Sequence, residues 1–590
     1  MSKRMKCFGI FLMIIIAFLI FRLAHIQLIN TESFSSHHIN LMKESVKQRT
    51  QEVFIDDGRG RFVDRNQTPL GSEDEPSLVL FPFLKNYQWP IEKLKKIVPI
   101  HEKDIQSLLE KTDHEPLILN KETGLDLTKD DIKAINELNI PGVFGVFKKT
   151  EQKDKIASHL IGITSENEKV WKKKYPDKES VSLKPKVGVL GLEEAFDEFL
   201  QPEEEVKLLY HVDGIGRPLF GVNVKYIADS NPFYPITVQT TIDKHLQMKG
   251  EKILAKHHVK EGGLVLLDIE NSEVLAMVSK PDLNRNDADS YDNRMLKAIF
   301  PGSVFKTVIA AAAIDTNLVD LEQRFNCDRD VYGKFEKDEE KRAGMLSFTD
   351  SFARSCNYTF AAIGQELISK KSNIMEEYAD KLGLLKMTGW KGSVFHYDPF
   401  KQLPREQKGV IWGDERDKKV AKAIAQTAIG QKNVKVTPLA VANMMATIAR
   451  GGEKKEVKVV NKILYKNGTT MFAFKDHSLR GSTIASETAS KLTKLLREVV
   501  ENPEGTGQRF QDLPVHVAGK SGTAETGKEN AKGEPLYHKW FAGFFPAEQP
   551  KYALVVVDMY NRSGSAATND VFYEMVEAIY DAKEKRSMLQ

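Results

Sequence analysis

Near its N-terminus the chain carries an uncharged apolar run, Cys7–Phe21, between a short basic tip and a long polar body. Continued past Arg22 to Ile29, the run reaches 23 residues, about the length that a tilted helix needs to cross ~30 Å of hydrocarbon. Because three basic residues precede it, the positive-inside rule places the N-terminus in the cytoplasm. A cleaved signal peptide is the alternative, since 15 apolar residues also fit its hydrophobic core. No Ala-x-Ala cleavage site follows, which favours an uncleaved single-pass anchor with the body outside the cell.

The body of the chain is too long for one hydrophobic core, because 590 residues usually form two or three domains. Its composition changes near residue 236, which predicts an anchor at 1–29, an N-terminal pedestal at 30–235 and a C-terminal domain at 236–590. Beyond residue 29 there are 81 basic and 82 acidic residues. This balance argues against nucleic acid as a partner, since nucleic-acid-binding proteins carry a basic excess.

The cysteines and histidines give little sign of cross-links or metals. Cys7 lies at the membrane, which leaves Cys327 and Cys356. These two can pair, but they do not make a disulfide framework, and two free thiols are the favoured expectation. The adjacent pair His257–His258 cannot share one face of a helix or strand. No metal and no cofactor is therefore expected.

The C-terminal domain has strand patterns at both ends and helical patterns between them. Apolar runs at 262–268 and 274–278, joined by a short turn, are typical of a buried β-hairpin. Helical patterns fill most of 347–385 and 419–450, and three more strands are predicted after residue 515. This order predicts an α+β domain in which both ends complete one sheet and the helices pack on it. The pedestal mixes short strands with charged amphipathic helices.

The turn Pro301–Gly302 leads into an alanine-rich run that predicts a buried helix. Ser303 then lies in the first turn of the helix, with Lys306 three residues later on the same face. A hydroxyl and an amine side by side at a helix N-terminus can act as nucleophile and base. The pattern alone is weak, because roughly two or three such matches are expected by chance in a chain of this length. Ser303 is nevertheless the only serine with a lysine three residues later.

Two other polar patches carry side chains that suit the same chemistry. Ser355 and Asn357 have a spacing that can aim a hydroxyl and an amide at one point from a loop. The patch Lys520–Thr523 lies in a predicted strand, whose alternation sends the lysine and Gly522 to one face and the two hydroxyl side chains to the other. A glycine inside a strand indicates close approach by another part of the chain.

Two familiar alternatives fit these patches poorly. A nucleotide-binding P-loop around Gly519-Lys520-Ser521 would need glycine at position 514, where Pro514 stands, and a helix in place of the strand pattern. A Ser-His-Asp hydrolase is also disfavoured, because no Gly-x-Ser-x-Gly sequence frames any serine.

In chain order, Ser303-x-x-Lys306, Ser355-x-Asn357 and Lys520–Thr523 form the motif set of penicillin-binding proteins and serine β-lactamases. Further stretches agree with this family: Thr240–Asp243, Ile429–Gln431, Val436–Pro438, Ala518–Glu525, Trp540–Phe544, Arg59–Gly60, Asp64–Asn66, Gly188 and Gly191–Glu193. The chain resembles the class B penicillin-binding proteins, which are membrane-anchored transpeptidases, over about residues 7–580. Gln201–Pro202 departs from the pattern, since the family usually has a glycine-bearing turn there.

The resemblance implies a fold and a reaction. The C-terminal domain is expected to be serine β-lactamase-like, an antiparallel sheet with helices packed on it, beside a dimerisation-type pedestal. The reaction implied is D,D-transpeptidation of peptidoglycan, which cross-links stem peptides through an acyl-enzyme, releases D-alanine and is blocked covalently by β-lactams.

Individual residues receive roles by the same resemblance. Ser303 is the implied nucleophile, Lys306 its base and Ser355 a proton relay. Asn357 is implied to position the substrate, and Lys520 to lower the pKa of the base. Ser521 and Thr523, on either side of Gly522, are implied to bind the carboxylate. The backbone N–H groups of Ser303 and Thr523 are implied to form an oxyanion hole.

Other functions on this fold stay open. A D,D-carboxypeptidase or a β-lactam hydrolase would replace the amine acceptor by water, and a non-catalytic scaffold would only recruit a polymerase. The long anchored pedestal favours wall building, and the intact motif set argues against a scaffold. Residues 60–235 show no second acidic catalytic cluster, so the resemblance implies a separate glycosyltransferase partner, of the SEDS type, among other cell-wall synthesis proteins.

Overall fold

The computed structural model describes residues 3–588 except 33, 35–39, 43, 45–49, 87, 101, 113–114, 153–155, 178–184, 212–224, 228–230, 340–341 and 563–566. The strands in the described part are β1 (Thr50–Asp56), β2 (Arg61–Val63), β3 (Pro69–Leu70), β4 (Ser72–Leu80), β5 (Leu117–Leu119), β6 (Val143–Glu151), β7 (Thr164–Glu166), β8 (Lys186–Gly188), β9 (Val206–His211), β10 (Lys225–Ile227), β11 (Thr237–Thr240), β12 (Gly262–Asp268), β13 (Val274–Lys280), β14 (Arg324–Asn326), β15 (Met345–Ser347), β16 (Lys391–Val394), β17 (Tyr397–Lys401), β18 (Val460–Leu464), β19 (Thr470–Ala473), β20 (Ala518–Glu529), β21 (Pro535–Phe545) and β22 (Tyr552–Asn561).

The α-helices in the described part are α1 (Lys3–Ala24), α2 (Ile91–Lys95), α3 (Glu102–Glu110), α4 (Lys129–Glu137), α5 (Ser158–Ile161), α6 (Glu168–Lys174), α7 (Gly191–Ala195), α8 (Asp197–Leu200), α9 (Lys244–Lys256), α10 (Lys306–Asp315), α11 (Phe348–Ala353), α12 (Asn357–Lys370), α13 (Ile374–Lys381), α14 (Ala421–Ala428), α15 (Pro438–Ala449), α16 (Ser486–Glu501) and α17 (Ala567–Met588). Short 3-10 helices connect several of them, and the one at Gly302–Phe305 runs directly into α10.

Helix α1 continues as a π-helical turn, His25–Ile29. The combined segment Arg4–Ile29 is the one helix of the described chain that is long and apolar enough to cross a membrane, and none of its apolar window is buried by the rest of the protein. Its length fits the anchor predicted from the sequence.

The body forms two compact units that interleave along the chain. The smaller unit comprises Met1–Gly58, Glu73–Thr150 and Pro202–Asn231. The larger unit comprises Arg59–Ser72, Glu151–Gln201 and Pro232–Gln590. The main segment of the larger unit thus begins at Pro232, near the predicted domain boundary at 236. Two earlier segments also belong to it. In the first, β2 pairs with β11 in parallel and β3 extends that sheet. In the second, helices α5, α7 and α8 add apolar side chains to the core that contains α10.

The smaller unit contains two three-stranded sheets, in the orders β1-β9-β10 and β5-β4-β6. Strand β4 supplies alternating apolar side chains to two separate cores. Leu78 and Leu80 pack with helices α3 and α4, whereas Val79 packs with residues of β1 and β9. This alternation is what a strand buried on both faces requires.

The main sheet of the larger unit has the order β13-β12-β22-β21-β20, and every neighbouring pair is antiparallel. Side chains of β12 alternate between two cores: Val265 and Leu267 face the core that contains α10 and α15, and Leu264 and Leu266 face α9 and α17. The sheet therefore lies between two helical layers. Strands from both ends of the C-terminal segment complete it, which confirms the α+β prediction.

Candidate active site

Ser303 lies on the 3-10 turn that leads into the buried helix α10. It is half-buried, whereas Gly302 and Val304 on either side of it are buried. Every residue from Lys306 to Ile314 is buried, so α10 anchors the turn rigidly in the core. The serine is thus an accessible polar group on an otherwise enclosed element.

The Ile429–Gln431 motif holds the serine turn in place. The amide of Gly302 donates to the carbonyl oxygen of Gly430 at 3.0 Å. Both glycines have positive φ, 53° and 74°, which side-chain-bearing residues adopt only with strain. A Cβ atom at Gly430 would lie 2.0 Å from the Gly302 carbonyl oxygen. The sequence marked this motif as a family signature but gave no contact for it.

Strand β20 approaches the other side of the serine turn. A Cβ atom at Gly522 would lie 2.6 Å from the carbonyl oxygen of Pro301, so only glycine allows this approach. The indole Nε1 of Trp540, on the neighbouring strand β21, donates to the carbonyl oxygen of Phe300 at 2.9 Å. The close contact predicted for Gly522 is confirmed, and its partner is the turn that carries Ser303.

The backbone of Thr523 faces the same turn. A Cβ atom at Gly302 would lie 2.3 Å from the Thr523 carbonyl oxygen, which therefore points away from β21 and toward the turn. In an antiparallel strand the N–H and C=O of one residue point to the same side. The Thr523 N–H is thus directed to the side of β20 on which Ser303 lies.

Lys306 is fully buried, and its ammonium contacts the Ser355–Asn357 loop. Its Nζ donates to the Ser355 carbonyl oxygen at 2.7 Å, to Ser355 Oγ at 3.1 Å and to Asn357 Oδ1 at 2.7 Å. Burial lowers the pKa of Lys306 well below its ordinary value, and the charge of Lys520 lowers it further. The structure thus brings together members of all three sequence motifs.

Lys520 is the second fully buried lysine of the site. It projects from β20, with its Nζ 5.6 Å from the centre of the Phe352 ring, and burial lowers its pKa to about 7. In the described chain neither Lys306 nor Lys520 forms an ion pair with a carboxylate. Two cations without counter-ions cannot both stay protonated at neutral pH without cost, so one of them, Lys306, is set to become a neutral base.

Cys327 and Cys356 form a disulfide, so the expectation of two free thiols is wrong. Strand β14 ends next to the start of α12, which brings the two Cα atoms to 6.0 Å although 29 residues separate them in sequence. Sequence spacing could not reveal this packing. Cys356 lies between Ser355 and Asn357, and Ser355 has a positive φ of 61°. The cross-link therefore ties this strained loop to the β14–β15 hairpin.

The two hydroxyl residues of the β20 motif lie at its accessible face. Ser521 Oγ donates to Thr506 Oγ1 at 2.8 Å, and Thr523 is exposed. Lys539 on β21 places its Nζ 3.4 Å from Thr523 Oγ1. Sequence reasoning missed Thr506 and Lys539, because neither lies in a motif and only strand pairing and loop packing bring them here.

Comparison with known proteins agrees with this geometry. Residues 262–577 match the family model described as penicillin binding protein transpeptidase domain. The chain belongs to this family. Residues 55–231 match the penicillin-binding protein dimerisation domain, and the two domains together are those of a class B penicillin-binding protein.

Individual relatives have low sequence identity to this chain, but their alignments with it are long. Stage V sporulation protein D of Bacillus subtilis is 25% identical over 599 residues, which covers 94% of this chain and 81% of that protein. Peptidoglycan D,D-transpeptidase PbpA of Mycobacterium tuberculosis is 25% identical over 406 residues, covering 62% and 77%. A solved chain of a peptidoglycan synthase complex aligns with a TM-score of 0.64 at 20% identity and covers 98% of this chain and 99% of its own. This last similarity concerns the fold.

Proposed function

We propose that the protein is a peptidoglycan D,D-transpeptidase that cross-links stem peptides through an acyl-enzyme on Ser303. The observation that carries the proposal is the meeting of three distant motifs at one point. Lys306 contacts Ser355 and Asn357, and Gly522 lies against the serine turn. A β-lactam, which mimics the terminal D-Ala-D-Ala of the stem peptide, would acylate the same serine.

Acylation begins when Ser303 Oγ attacks the carbonyl carbon between the two terminal D-alanines. The hydroxyl proton passes to Lys306 Nζ, which burial and the nearby Lys520 hold ready in the neutral form. The C–N bond then breaks, and the departing D-alanine amine takes up a proton through Ser355, whose hydroxyl lies 3.1 Å from Lys306 Nζ. The products of this step are the acyl-enzyme and free D-alanine.

Two backbone N–H groups would stabilise the oxyanion of the tetrahedral intermediate. The Ser303 N–H lies at the start of a helix, and the Thr523 N–H is directed toward the same turn. One such donor typically contributes ~3 kcal/mol to lowering the barrier. The tight packing of Gly302 against Gly430 and of Gly522 against Pro301 keeps the two donors at a fixed spacing.

The terminal carboxylate of the donor peptide would bind at the hydroxyls of Ser521 and Thr523, with the positive charge of Lys520 nearby. Asn357 would contact the peptide amide. In the second step an amine of a neighbouring stem peptide attacks the ester carbonyl and gives its proton to Lys306. As the Ser303–acyl bond breaks, Lys306 returns that proton to Ser303 Oγ, which restores the hydroxyl and leaves the new cross-link.

Labelling with a fluorescent penicillin tests the nucleophile. Wild-type protein in detergent is expected to carry a covalent label, and Ser303→Ala is expected to carry none. Labelling of Ser303→Ala at the wild-type rate would refute Ser303 as the nucleophile, and an unlabelled wild type would favour the non-catalytic scaffold.

Product analysis separates the transpeptidase from a D,D-carboxypeptidase or a β-lactam hydrolase. With a pentapeptide donor and an amine acceptor, we expect D-alanine release to be matched by cross-linked product. Release of D-alanine with hydrolysed donor alone would indicate a carboxypeptidase, and fast turnover of the penicillin label would indicate a hydrolase.

We also propose a single-pass topology, with the N-terminus in the cytoplasm and both units outside the membrane. The apolar helix and its basic tip support this orientation. The anchor at 1–29, the pedestal at 30–235 and the transpeptidase domain at 236–590 are the proposed modules. A protease added outside intact cells should cleave the body and spare the tip, and protection of the body would contradict this topology.

Two finer assignments belong to the same proposal. A separate SEDS-type glycosyltransferase would supply the glycan strands, and co-purification from membranes without any such polymerase would count against this partner. Within the class B proteins, we propose that the chain groups with the Gram-positive proteins called penicillin-binding protein 4B.

A further inference from the structure

A lysine outside every motif lies next to the proposed carboxylate site. Lys539 on β21 is the register partner of Thr523 on β20, so the two side chains share one face of the sheet. Its Nζ reaches to 3.4 Å from Thr523 Oγ1 and lies 5.5 Å from the centre of the Tyr537 ring. The side chain is half-buried, although the hydroxyl that it contacts is exposed.

Lys539 has no carboxylate partner in the described part of the chain. Its register partner on the other side, Asp558 of β22, accepts a hydrogen bond from Asn561 Nδ2 at 2.5 Å and forms no ion pair with the lysine. A partly buried ammonium without a counter-ion is costly, and burial lowers the pKa of Lys539 accordingly. The position suits a cation whose anion arrives with the substrate.

The contact with Lys539 also orients the Thr523 hydroxyl. An ammonium can only donate hydrogen bonds, so Lys539 occupies a lone pair of Thr523 Oγ1. The single hydroxyl proton of Thr523 is then left for another acceptor. Because the Thr523 side chain is exposed and its backbone lies against the turn that carries Ser303, a substrate carboxylate is an acceptor of the right kind.

We propose that Lys539 is a specificity-determining residue that recognises the carboxylate of the acyl donor, together with Thr523. It polarises the threonine hydroxyl and supplies the positive charge opposite the bound anion. The inference rests on the proposed acyl-enzyme function, and it extends the carboxylate site from the β20 motif onto β21. The ligand class is a peptide or β-lactam that ends in a free carboxylate.

The test compares two probes that differ only in that carboxylate, benzylpenicillin and its methyl ester, on the full-length protein in detergent. For Lys539→Met we expect the second-order acylation constant with benzylpenicillin to fall roughly tenfold, since a hydrogen bond to a charged group is lost. The constant for the ester should change less than twofold. Lys539→Arg should recover most of the loss, because it restores the charge.

Lys532 provides a matched control, because it is an exposed lysine in the turn between β20 and β21. Lys532→Met removes the same charge from the same hairpin and should leave both constants unchanged. An equal fall for acid and ester in Lys539→Met, no fall at all, or an equal effect of Lys532→Met would overturn the inference. Wild-type protein that reacts with neither probe would instead refute the proposed function.

Discussion

The larger unit buries two groups of positively charged side chains. One group is paired with carboxylates, and the other is not. In the first, Arg59 donates to Glu193 Oε2 at 2.5 Å and to Asp197 Oδ1 at 2.8 Å. Burial alone would lower the pKa of Arg59, but the two carboxylates outweigh it and raise the pKa. Burial would raise the pKa of Asp197, but Arg59 and the donors around it lower that pKa. Every charge in this group is stabilised by an opposite one.

The second group, Lys306 and Lys520, has no ion-pairing carboxylate in the described chain. Each ammonium lies 5.6 Å from the centre of a phenylalanine ring, that of Phe360 or of Phe352. The rings and carbonyl oxygens stabilise the charge only in part, and burial therefore lowers the pKa of both lysines. The comparison indicates that the paired group holds the fold together and that the unpaired group is kept reactive.

Removing the Lys306 amine should lower the rate of acylation far more than it lowers the stability of the fold. Lys306→Met is expected to slow penicillin acylation roughly 10³-fold, because general base catalysis is lost. Its free energy of unfolding should fall by less than about 2 kcal/mol, since Lys306 makes no ion pair in the described chain and burial of its amine is itself costly. Acylation kinetics and denaturant unfolding measure the two effects. Acylation within tenfold of the wild-type rate would contradict the role of Lys306 as the base.

Removing the paired charge should have the reverse effect. Arg59→Met leaves Glu193 and Asp197 buried without their cation, which should lower the free energy of unfolding by about 3–5 kcal/mol. The rate of acylation per folded molecule should stay at the wild-type value, because Arg59 belongs to no part of the proposed site. A large fall in that rate with unchanged stability would contradict the structural role.

The pKa of Lys520 predicts a limit on activity at high pH. Acylation needs neutral Lys306 and, for carboxylate binding, protonated Lys520, so the rate should decline as pH rises through about 7. Lys520→Arg keeps its charge and should move this decline well above neutrality, even if its maximal rate is lower. The pH dependence of acylation in both proteins checks this, and an unmoved decline would assign it to another group.

The smallest effect is expected at the edge of the paired group. Lys174 Nζ lies 2.8 Å from Asp197 Oδ2, but 38% of the lysine side chain is exposed. Solvent screening should therefore limit the loss in Lys174→Met to less than about 1 kcal/mol of unfolding free energy. The same experiment as for Arg59→Met measures it. A loss of unfolding free energy as large as that in Arg59→Met would show that ion pairs stabilise the fold regardless of their burial.

Side-chain chemistry and chain order made the motifs predictable from the sequence. The long-range contacts between the motifs could not be predicted in this way. Ser303, Lys306 and Lys520 could be named from side-chain type, local pattern and resemblance. Apolar runs bounded by turns likewise predicted the strands of the main sheet. The packing of Gly430 on Gly302 depends on which distant loops meet, and no local pattern contains that information.

The same limit explains the errors and omissions. The pairing of Cys327 with Cys356 follows from where β14 ends beside α12. The short strands β2 and β3 join the larger unit because β2 pairs with β11, which their sequence does not specify. Gln201, which departs from the family pattern, donates to Asp197 Oδ1 at 3.0 Å and so joins the paired group.

The pH dependence of wild-type acylation tests the central claim, that Lys306 is a base kept neutral by burial beside Lys520. Second-order acylation constants with a penicillin would be measured from about pH 4 to about pH 10. Because the neutral form of Lys306 is the reactive one, we predict a rise in rate that is complete well below the ordinary lysine pKa of about 10.4. A rate that is low at neutral pH and climbs only toward pH 10 would contradict this claim.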